Sequence, residues 1–322
     1  MTPRPRRSLA ALPTPLQRLT GLEAQLRGGP LYLKRDDLTG FGLAGNKARA
    51  LEFLVGDALA QRADMLVAAG SPGSNFIAAA AMAAQVCGLD CDVLVAGPHP
   101  ASPPATLRLA EIAGARLYLT GADREDLDEL VDKHATRLRG EGRSPYGMPR
   151  GGASHIGALG FAYAAEEVSA QLAAAGVEDA VVVLPTGSGA SLAGLLAGRA
   201  AIGARWRVHG VSVSRPLARI RADVLGLARS CAAGLRSPAP AEGDLVVVDA
   251  RGDGFGRVTE RDRRDALMAL RSGGLLLDPT YGTKAFGAML GLVAAGERSP
   301  IVLWHTGGLP SALSLLAAAG SP

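Results

Sequence analysis

The chain has 322 residues, of which 48% are hydrophobic and only 4% aromatic, and its formal net charge is +4. This length suits two lobes, or one large α/β unit with an inserted lobe, and the apolar content is enough for a large core. Because the charges are spread out and aromatic residues are few, we expect no nucleic-acid surface. The only local basic excess, at Arg4, Arg6 and Arg7, is predicted to be a frayed tail, with a targeting arm as the minority alternative.

Three cysteines occur, at Cys87, Cys91 and Cys231. An odd number in a chain of this length argues against a disulfide scaffold. Cys87 and Cys91 have no nearby histidine, so we predict no metal site. No apolar run reaches the ~20 residues that a membrane span needs. These features predict a cytoplasmic protein with reduced thiols and no membrane partner.

Short apolar runs alternate with longer amphipathic segments in a first series. The predicted strands of this series are Met65–Gly70, Cys91–Ala96 and Arg116–Leu119. The predicted helices are Asn75–Cys87, Pro104–Ala113 and Arg124–Leu138. Such a βαβαβα order indicates a parallel sheet.

A second series begins near Ile156. Its predicted strands are Ala180–Leu184, Arg207–Val213, Leu245–Asp249 and Ile301–Trp304. Its predicted helices are Ile156–Ala175, Ser191–Ile202, Glu260–Leu270 and Lys284–Ala294. The Gly- and Pro-rich segment Pro145–Ser154 is predicted to cross between the lobes. The fold class is therefore α/β, with two doubly wound parallel-sheet lobes and a ligand cleft at the carboxyl ends of the strands.

A glycine-rich approach leads to one lysine near the N-terminus. The stretch Lys34–Gly40 is followed by Gly45–Lys47, and Lys47 is the only lysine between Lys34 and Lys133 in a chain that prefers arginine. A lysine that forms a Schiff base cannot be exchanged for arginine, since the nucleophile must lose its proton. An ordinary surface loop is the alternative reading of this stretch.

Two further glycine- and serine-rich turns each follow a predicted strand and open a helix. Ala68–Asn75 offers free N–H groups and a positive dipole end to an anion, with an ordinary helix cap as the alternative. Thr186–Ser191 has small residues and hydroxyls that suit a single phosphate. It lacks the lysine of a nucleotide-triphosphate loop and the glycine spacing of a dinucleotide site. A tight strand–helix turn remains its alternative.

Two weaker segments lie near the C-terminus. They are Leu277–Lys284, which contains Tyr281, and His305–Gly308, which follows a predicted strand. His305 by itself is more often a satisfied buried histidine than a catalytic one.

These five segments, together and in this order, resemble the fold-type-II pyridoxal-phosphate enzymes, in the branch that contains D-cysteine desulfhydrase and aminocyclopropane-carboxylate deaminase. The resemblance runs from Leu12–Leu16 to His305–Gly308, and it includes Gly151–Ser154 and Gly157–Gly160.

The resemblance implies an architecture similar to that of the tryptophan synthase β-subunit, with the pyridoxal 5'-phosphate cleft between the lobes. Residues 1–46 and 155–322 would form the large cofactor-binding domain, and residues 47–154 the small domain. It also implies a homodimer that acts on a small amino acid.

Site residues follow from the same resemblance. Lys47 corresponds to the Schiff-base lysine, Asn75 to the partner of the cofactor's phenolic oxygen and Thr306 to the hydroxyl partner of the pyridine nitrogen. The phosphate cup would comprise Thr186, Gly187, Ser188, Gly189, Ala190 and Ser191. Ser74 corresponds to a serine that contacts the substrate carboxylate or assists proton transfer, and Tyr281 to a tyrosine near the substrate. Because Ser74 opens a predicted helix, we assign it mainly to binding the carboxylate. We assign Tyr281 mainly to acid–base work, aided by a phenol pKa that a nearby cofactor charge could lower.

Three departures from the family pattern fall on the substrate side: Phe255 stands where a tyrosine is usual, Gly282 where the deaminases have glutamate, and Gly73 where they have glutamine. We therefore expect β-elimination from a D-cysteine-like substrate to an α-keto acid and ammonia, rather than cyclopropane ring opening. A β-replacement or cyclisation enzyme of a specialised pathway and a non-catalytic cofactor-binding protein are the alternatives.

Overall fold

The structure, a computed structural model, describes residues 4–318. In chain order its strands are β1 (Leu16–Arg18), β2 (Leu31–Arg35), β3 (Met65–Gly70), β4 (Asp90–Val95), β5 (Arg116–Leu119), β6 (Pro145–Gly147), β7 (Val181–Thr186), β8 (Arg207–Ser212), β9 (Leu245–Asp249) and β10 (Ile301–His305). The helices are α1 (Thr20–Leu26), α2 (Lys47–Ala60), α3 (Asn75–Val86), α4 (Ala105–Ile112), α5 (Leu127–Gly140), α6 (His155–Ala174), α7 (Ala190–Ile202), α8 (Leu217–Leu235), α9 (Glu260–Gly273), α10 (Gly282–Ala294) and α11 (Leu309–Ala318).

These strands form two separate sheets. The smaller has the order β5-β4-β3-β6 and is parallel throughout. The larger has the order β1-β2-β10-β7-β8-β9, and only its edge strand β1 runs antiparallel. The strands at the centre of each sheet, β3 and β7, are buried along their whole length. The predicted α/β class with parallel sheets is confirmed.

Every predicted strand and helix is present, with ends that differ by a few residues. The predicted helix Arg124–Leu138 differs most, because it begins as a short 3-10 turn, Arg124–Asp126, before α5. The segment Pro145–Ser154 is not simply a crossing, since its first three residues form the edge strand β6.

Sequence reasoning missed the elements on either side of Lys47. The stretch starting at Lys34 is not all loop, because Lys34 and Arg35 end strand β2. Helix α2 follows at Lys47, and its first two turns are buried almost all round. A helix buried on every face has no polar stripe, so its periodicity gives little signal.

A buried ionic network fixes α2 against its surroundings. Arg49 contacts Asp36 at 2.8 Å and Glu167 at 2.9 Å, and Lys34 also pairs with Glu167. Burial opposes ionisation of Glu167, but the two cations outweigh it and hold its pKa at about 2. The indole of Trp304 donates to Asp36 at 2.8 Å. The network thus joins β2, α2, α6 and β10, and its central residue, Arg49, lies two residues after Lys47.

The basic N-terminal segment is not a frayed tail. The Arg6 side chain donates to the Glu52 carboxylate at 2.8 Å, and the Arg7 backbone N–H donates to the Glu52 carbonyl at 2.8 Å.

Within residues 4–318, no helix is long and apolar enough to cross a membrane. The same residues contain no group of three or more His, Cys, Asp or Glu side chains that could hold a metal ion.

Candidate active site

A cavity of about 390 Å³ lies at the carboxyl ends of β3 and β7, the central strands of the two sheets. Of the predicted site residues, ten line it: Lys47, Ser74, Asn75, Thr186, Gly187, Ser188, Gly189, Ser191, Tyr281 and Thr306. Ala190 is the exception, since it is buried as the first residue of α7 and is not part of the cavity wall. Residues from five separate segments are thus brought to one place.

Lys47 begins α2 and is half-buried in the cavity wall. Across residues 4–318 its amine has no carboxylate partner within ion-pair distance. Burial, and then the positive charge of Arg124, lower the pKa of Lys47 to about 8. An amine with this pKa has a substantial neutral fraction near pH 7, as a nucleophile or a base requires.

The approach to Lys47 is held against the end of β10. The Asn46 backbone N–H donates to the Thr306 carbonyl at 3.0 Å. Gly45 has φ +55°, and a Cβ there would lie 2.2 Å from the same carbonyl oxygen. The Asn46 side chain also donates to the Ser191 hydroxyl at 3.2 Å. One short segment therefore positions Lys47 relative to both Thr306 and the Thr186–Ser191 turn.

The Thr186–Ser191 turn has the features of a phosphate cup. Strand β7 ends at Thr186, and α7 begins after Gly189, whose φ of +98° turns the chain into the helix. The Thr186 hydroxyl is buried and has no hydrogen-bond partner within the part of the chain that the structure describes. Buried hydroxyls are nearly always paired, so this one is available to a bound group. A phosphate at the start of α7 would be such a group.

Ser74 caps helix α3, and its hydroxyl oxygen accepts the Phe76 N–H at 3.3 Å. The hydroxyl hydrogen of Ser74 is left free to donate into the cavity. Asn75, the first residue of α3, lines the cavity beside it. Ser74 therefore both caps α3 and lines the cavity.

Tyr281 is fixed by a turn built on Asp278. The Asp278 carboxylate accepts the backbone N–H groups of Thr280, Tyr281 and Gly282 at 3.1, 2.9 and 2.9 Å. Burial raises the pKa of Tyr281 to about 12, although the positive charge of Arg124 acts in the opposite sense. The protein's own groups therefore shift this pKa upward, and the lowering expected from the cofactor charge stays a prediction. Tyr281 keeps its proton at neutral pH and can act as a donor.

Three arginines in the cavity wall were missed by sequence reasoning: Arg124, Arg150 and Arg215. Arg150 pairs with Asp128 at 2.9 Å and Arg215 with Asp223 at 2.6 Å. The Arg124 guanidinium instead lies 4.0 Å from the centroid of the Phe255 ring. Nothing in the local sequence distinguishes these arginines from surface ones.

Gly151, in the segment Gly151–Ser154, also lies in the cavity wall. It has φ +66°, and a Cβ there would lie 2.9 Å from the Ser188 hydroxyl and 3.7 Å from the Lys47 amine. Its missing side chain leaves open the space between the lysine and the cup.

Lys284 and His305 lie outside the cavity. The Lys284 amine pairs with Asp262 at 3.0 Å, which leaves Lys47 as the lysine of the cavity wall. His305 is a satisfied buried histidine: its Nδ1 accepts the Gly307 N–H at 3.2 Å, and burial lowers its pKa.

Three features together define a cofactor-dependent enzyme of the pyridoxal-phosphate class. They are a half-buried lysine with a lowered pKa, a turn that suits a phosphate and contains a buried hydroxyl without a partner among the described residues, and a cleft between the two sheets. Residues 7–307 match the family model described as pyridoxal-phosphate dependent enzyme. The chain belongs to this family, and pyridoxal 5'-phosphate is its cofactor.

Relatives across the full length narrow the family. A D-cysteine desulfhydrase of Klebsiella pneumoniae is 33% identical over 327 residues, which cover 95% of each chain. A Pyrococcus abyssi protein, provisionally named 1-aminocyclopropane-1-carboxylate deaminase, is 34% identical over 308 residues, covering 95% of this chain and 92% of that one. The chain is an enzyme of the type these relatives represent.

Solved structures agree with the fold. An ACC deaminase homologue superposes with a TM-score of 0.89 at 32% identity, covering 97% of this chain and 96% of that one. Maize serine racemase, at 17% identity, gives a TM-score of 0.64 over 95% of this chain and 91% of that one, which supports the fold alone. The fold-type-II architecture is thereby confirmed.

Proposed function

We propose that the protein catalyses β-elimination from a small amino acid with a leaving group on its β-carbon, of the D-cysteine desulfhydrase type. With a cysteine substrate, cysteine and water would give pyruvate, ammonium and hydrogen sulfide. The observation that carries the proposal is Lys47, whose amine has no ion-pair partner among the described residues and a pKa of about 8, in a wall shared with Ser74 and Tyr281.

Each proposed role rests on a chemical property of the residue. Lys47 holds the cofactor covalently and, when released, takes the proton from the substrate α-carbon, because its lowered pKa makes the neutral amine available. Tyr281 donates a hydrogen bond or proton towards the leaving group, because its raised pKa keeps the phenol protonated. Ser74 binds the substrate carboxylate at the start of α3.

The remaining residues bind the cofactor. Pyridoxal phosphate supplies the electron sink for cleavage at the α-carbon. We assign its phosphate to the Thr186–Ser191 cup, its phenolic oxygen to Asn75 and its ring nitrogen to Thr306. A threonine hydroxyl is neutral and would not hold a proton on that nitrogen, which favours elimination over reactions that need a full electron sink.

The substrate side of the cavity disfavours ring opening. Phe255 lies with its ring centroid 6.1 Å from that of Tyr281 and offers no hydroxyl. A Cβ at Gly282 would meet the Asp278 carboxylate at 3.2 Å and Leu277 at 3.3 Å, so a glutamate would be crowded there. We therefore favour a D-cysteine-like substrate over a cyclopropane amino acid.

A panel of amino acids tests the proposal. The purified protein, after confirmation of a cofactor absorbance band, is incubated with each enantiomer of cysteine, β-chloroalanine and serine, and keto acid, ammonia and sulfide are measured. Keto acid and ammonia in equal amounts support elimination. Product that appears only when an external nucleophile is added would show β-replacement, and bound cofactor without any product would show a non-catalytic binder; either result contradicts the proposal.

Three wider assignments accompany this function. We propose that residues 1–46 and 155–322 form the large domain and residues 47–154 the small one, since the larger sheet takes all its strands from the former and the smaller sheet from the latter. We also propose a homodimer located in the cytoplasm. Light scattering of the purified enzyme measures the oligomeric state.

A further inference from the structure

Arg124 is an unpaired cation in a cavity wall. Across residues 4–318 its side chain makes no hydrogen bond or ion pair, whereas Arg150 and Arg215 in the same wall each have a carboxylate partner. The cavity has one acidic side chain in its wall, Asp278, and three backbone N–H groups already occupy that carboxylate. The cavity therefore holds an excess of positive charge that its own residues do not neutralise.

The position of Arg124 places this charge beside the reacting groups. Its guanidinium rests on the face of Phe255 at 4.0 Å, and the Phe255 ring packs edge-on against Tyr281 at 6.1 Å between centroids. The same charge acts on both Lys47 and Tyr281, since it contributes to the pKa of each. A cation stacked on an aromatic ring keeps its edge N–H groups free for an anion.

Other features of the cavity already suit the two anions that every substrate complex would contain. The cup at the start of α7 suits the cofactor phosphate, and the start of α3 with Ser74 suits the substrate α-carboxylate. Arg124 belongs to neither feature and lies on the Phe255 ring, which packs against Tyr281, the proposed donor to the leaving group. A third anion is thus expected on the leaving-group side.

We propose that Arg124 binds a second anionic group on the β-carbon of the substrate, so that the preferred substrates are amino acids with a β-sulfonate or β-phosphate, which can leave as sulfite or hydrogen phosphate. This substrate class rests on the proposed elimination at the same site. For O-phosphoserine, Lys47 takes the α-proton, the Cβ–O bond breaks and its electron pair leaves with the phosphate. The net change is O-phosphoserine and water to pyruvate, ammonium and hydrogen phosphate, with no oxidation or reduction.

Binding of analogues that cannot eliminate tests this directly. Each enantiomer of alanine, aspartate and 2-amino-3-phosphonopropionate is titrated by calorimetry into the cofactor-loaded enzyme, its Arg124→Met and Arg124→Lys variants, and Arg139→Met. Arg139 is a suitable control because it is an exposed arginine of α5, and its replacement removes the same charge away from the cavity.

We expect the two anionic analogues to bind about 10- to 100-fold more tightly than alanine, the range for one charge-assisted contact. Arg124→Met should abolish this preference and leave the affinity for alanine unchanged, Arg124→Lys should restore part of it, and Arg139→Met should retain it. Methionine can still pack on Phe255, so the wall should stay folded.

Three results would overturn the proposal. The first is a wild type that binds the anionic analogues no more tightly than alanine. The second is an Arg124→Met variant that loses as much affinity for alanine as for the anionic analogues, which would assign the guanidinium to the α-carboxylate. The third is loss of affinity for the cofactor in the same variant, which would assign the guanidinium to the phosphate. Failure of the elimination is separately visible as absence of keto acid from β-chloroalanine, a result that leaves the calorimetric preference intact.

Discussion

The backbone N–H of Asn46 donates to the carbonyl oxygen of Thr306 at 3.0 Å, and this bond joins the start of α2 to the end of β10. Lys47 follows Asn46, so the bond fixes the lysine opposite Thr306. The lysine and the threonine that we propose as cofactor contacts are therefore distant in sequence but linked through one backbone hydrogen bond.

Gly45→Ala should weaken cofactor binding, because the new methyl would lie 2.2 Å from the Thr306 carbonyl at a φ of +55°. We expect at least ~1 kcal/mol lower free energy of unfolding from the backbone strain alone, together with a higher Kd for pyridoxal phosphate. Denaturant unfolding and cofactor titration measure these two quantities. Gly226→Ala, in open space on α8, is the matched control and should not destabilise the protein. Unchanged cofactor affinity in Gly45→Ala would contradict the positioning argument.

Lys47 should carry the cofactor. The loaded enzyme should absorb near ~410–420 nm, as expected for the Schiff-base chromophore, and borohydride reduction should fix the cofactor mass on the peptide that contains Lys47. Lys47→Ala should abolish turnover, and Lys47→Arg should do no better because a guanidinium stays protonated. Peptide mass spectrometry provides the measurement. Attachment at Lys284, which pairs with Asp262 at 3.0 Å, would refute the assignment.

Cofactor loading should depend on pH with a midpoint near 8. The amine must be neutral to react, and burial and Arg124 lower the pKa of Lys47 to about 8. The rate of loading into the apoenzyme should therefore rise with pH and level off above that value, whereas an ordinary lysine would titrate near ~10.4. Stopped-flow absorbance measures the rate, with N-acetyl-lysine as the reference amine. A rate that keeps rising to pH 10 would show that the lysine is not perturbed.

Aminocyclopropane carboxylate should not be opened at a rate comparable to that of the best substrate. Phe255 offers no hydroxyl, and Gly282 offers no acid where the deaminases have one. The measurement is α-ketobutyrate and ammonia release, with β-chloroalanine as the positive control. Comparable turnover on the cyclopropane substrate would show that these two residues do not decide the reaction.

Ser74 and Tyr281 should give different kinetic signatures. Ser74→Ala should mainly raise KM, by about 10-fold for the loss of one charge-assisted hydrogen bond. Tyr281→Phe should mainly lower kcat, by about 100-fold or more for the loss of a proton donor. Steady-state kinetics separate the two effects, and the reverse pattern would show that the roles are exchanged.

Ser74→Ala also removes a helix cap, so its effect on stability needs a control. Ser154 caps α6 by accepting the Gly157 N–H at 3.1 Å, and it lies outside the cavity wall. Ser154→Ala should cost about 1 kcal/mol of stability, as a lost cap does, without changing KM.

The sequence by itself determined the features that depend on local chemistry. An apolar strand followed by Thr186–Ser191 gives a strand, a tight turn and a helix start wherever it is placed, because the glycine and the hydroxyls act on adjacent backbone. Lys47 is distinctive because it is the only lysine between Lys34 and Lys133 in a chain that prefers arginine. The central strands β3 and β7 were predicted since a fully buried strand is a continuous apolar run.

Only the tertiary structure decided which charged residues meet. The first two turns of helix α2 are buried almost all round, so the sequence pattern gives no sign of the ionic contacts of Arg49. The sequence around Arg124 and Arg139 does not show which of the two is buried in a site. The fold decides this, since Arg124 lies on Phe255 in the cavity and Arg139 faces solvent. Lys47 and Lys284 differ in the same way: Lys284 pairs with Asp262, whereas Lys47 has no carboxylate partner in the part of the chain that the structure describes. Solvent exposure and the distance to an opposite charge depend on residues far apart in sequence, and these two quantities set the chemistry of a charged side chain.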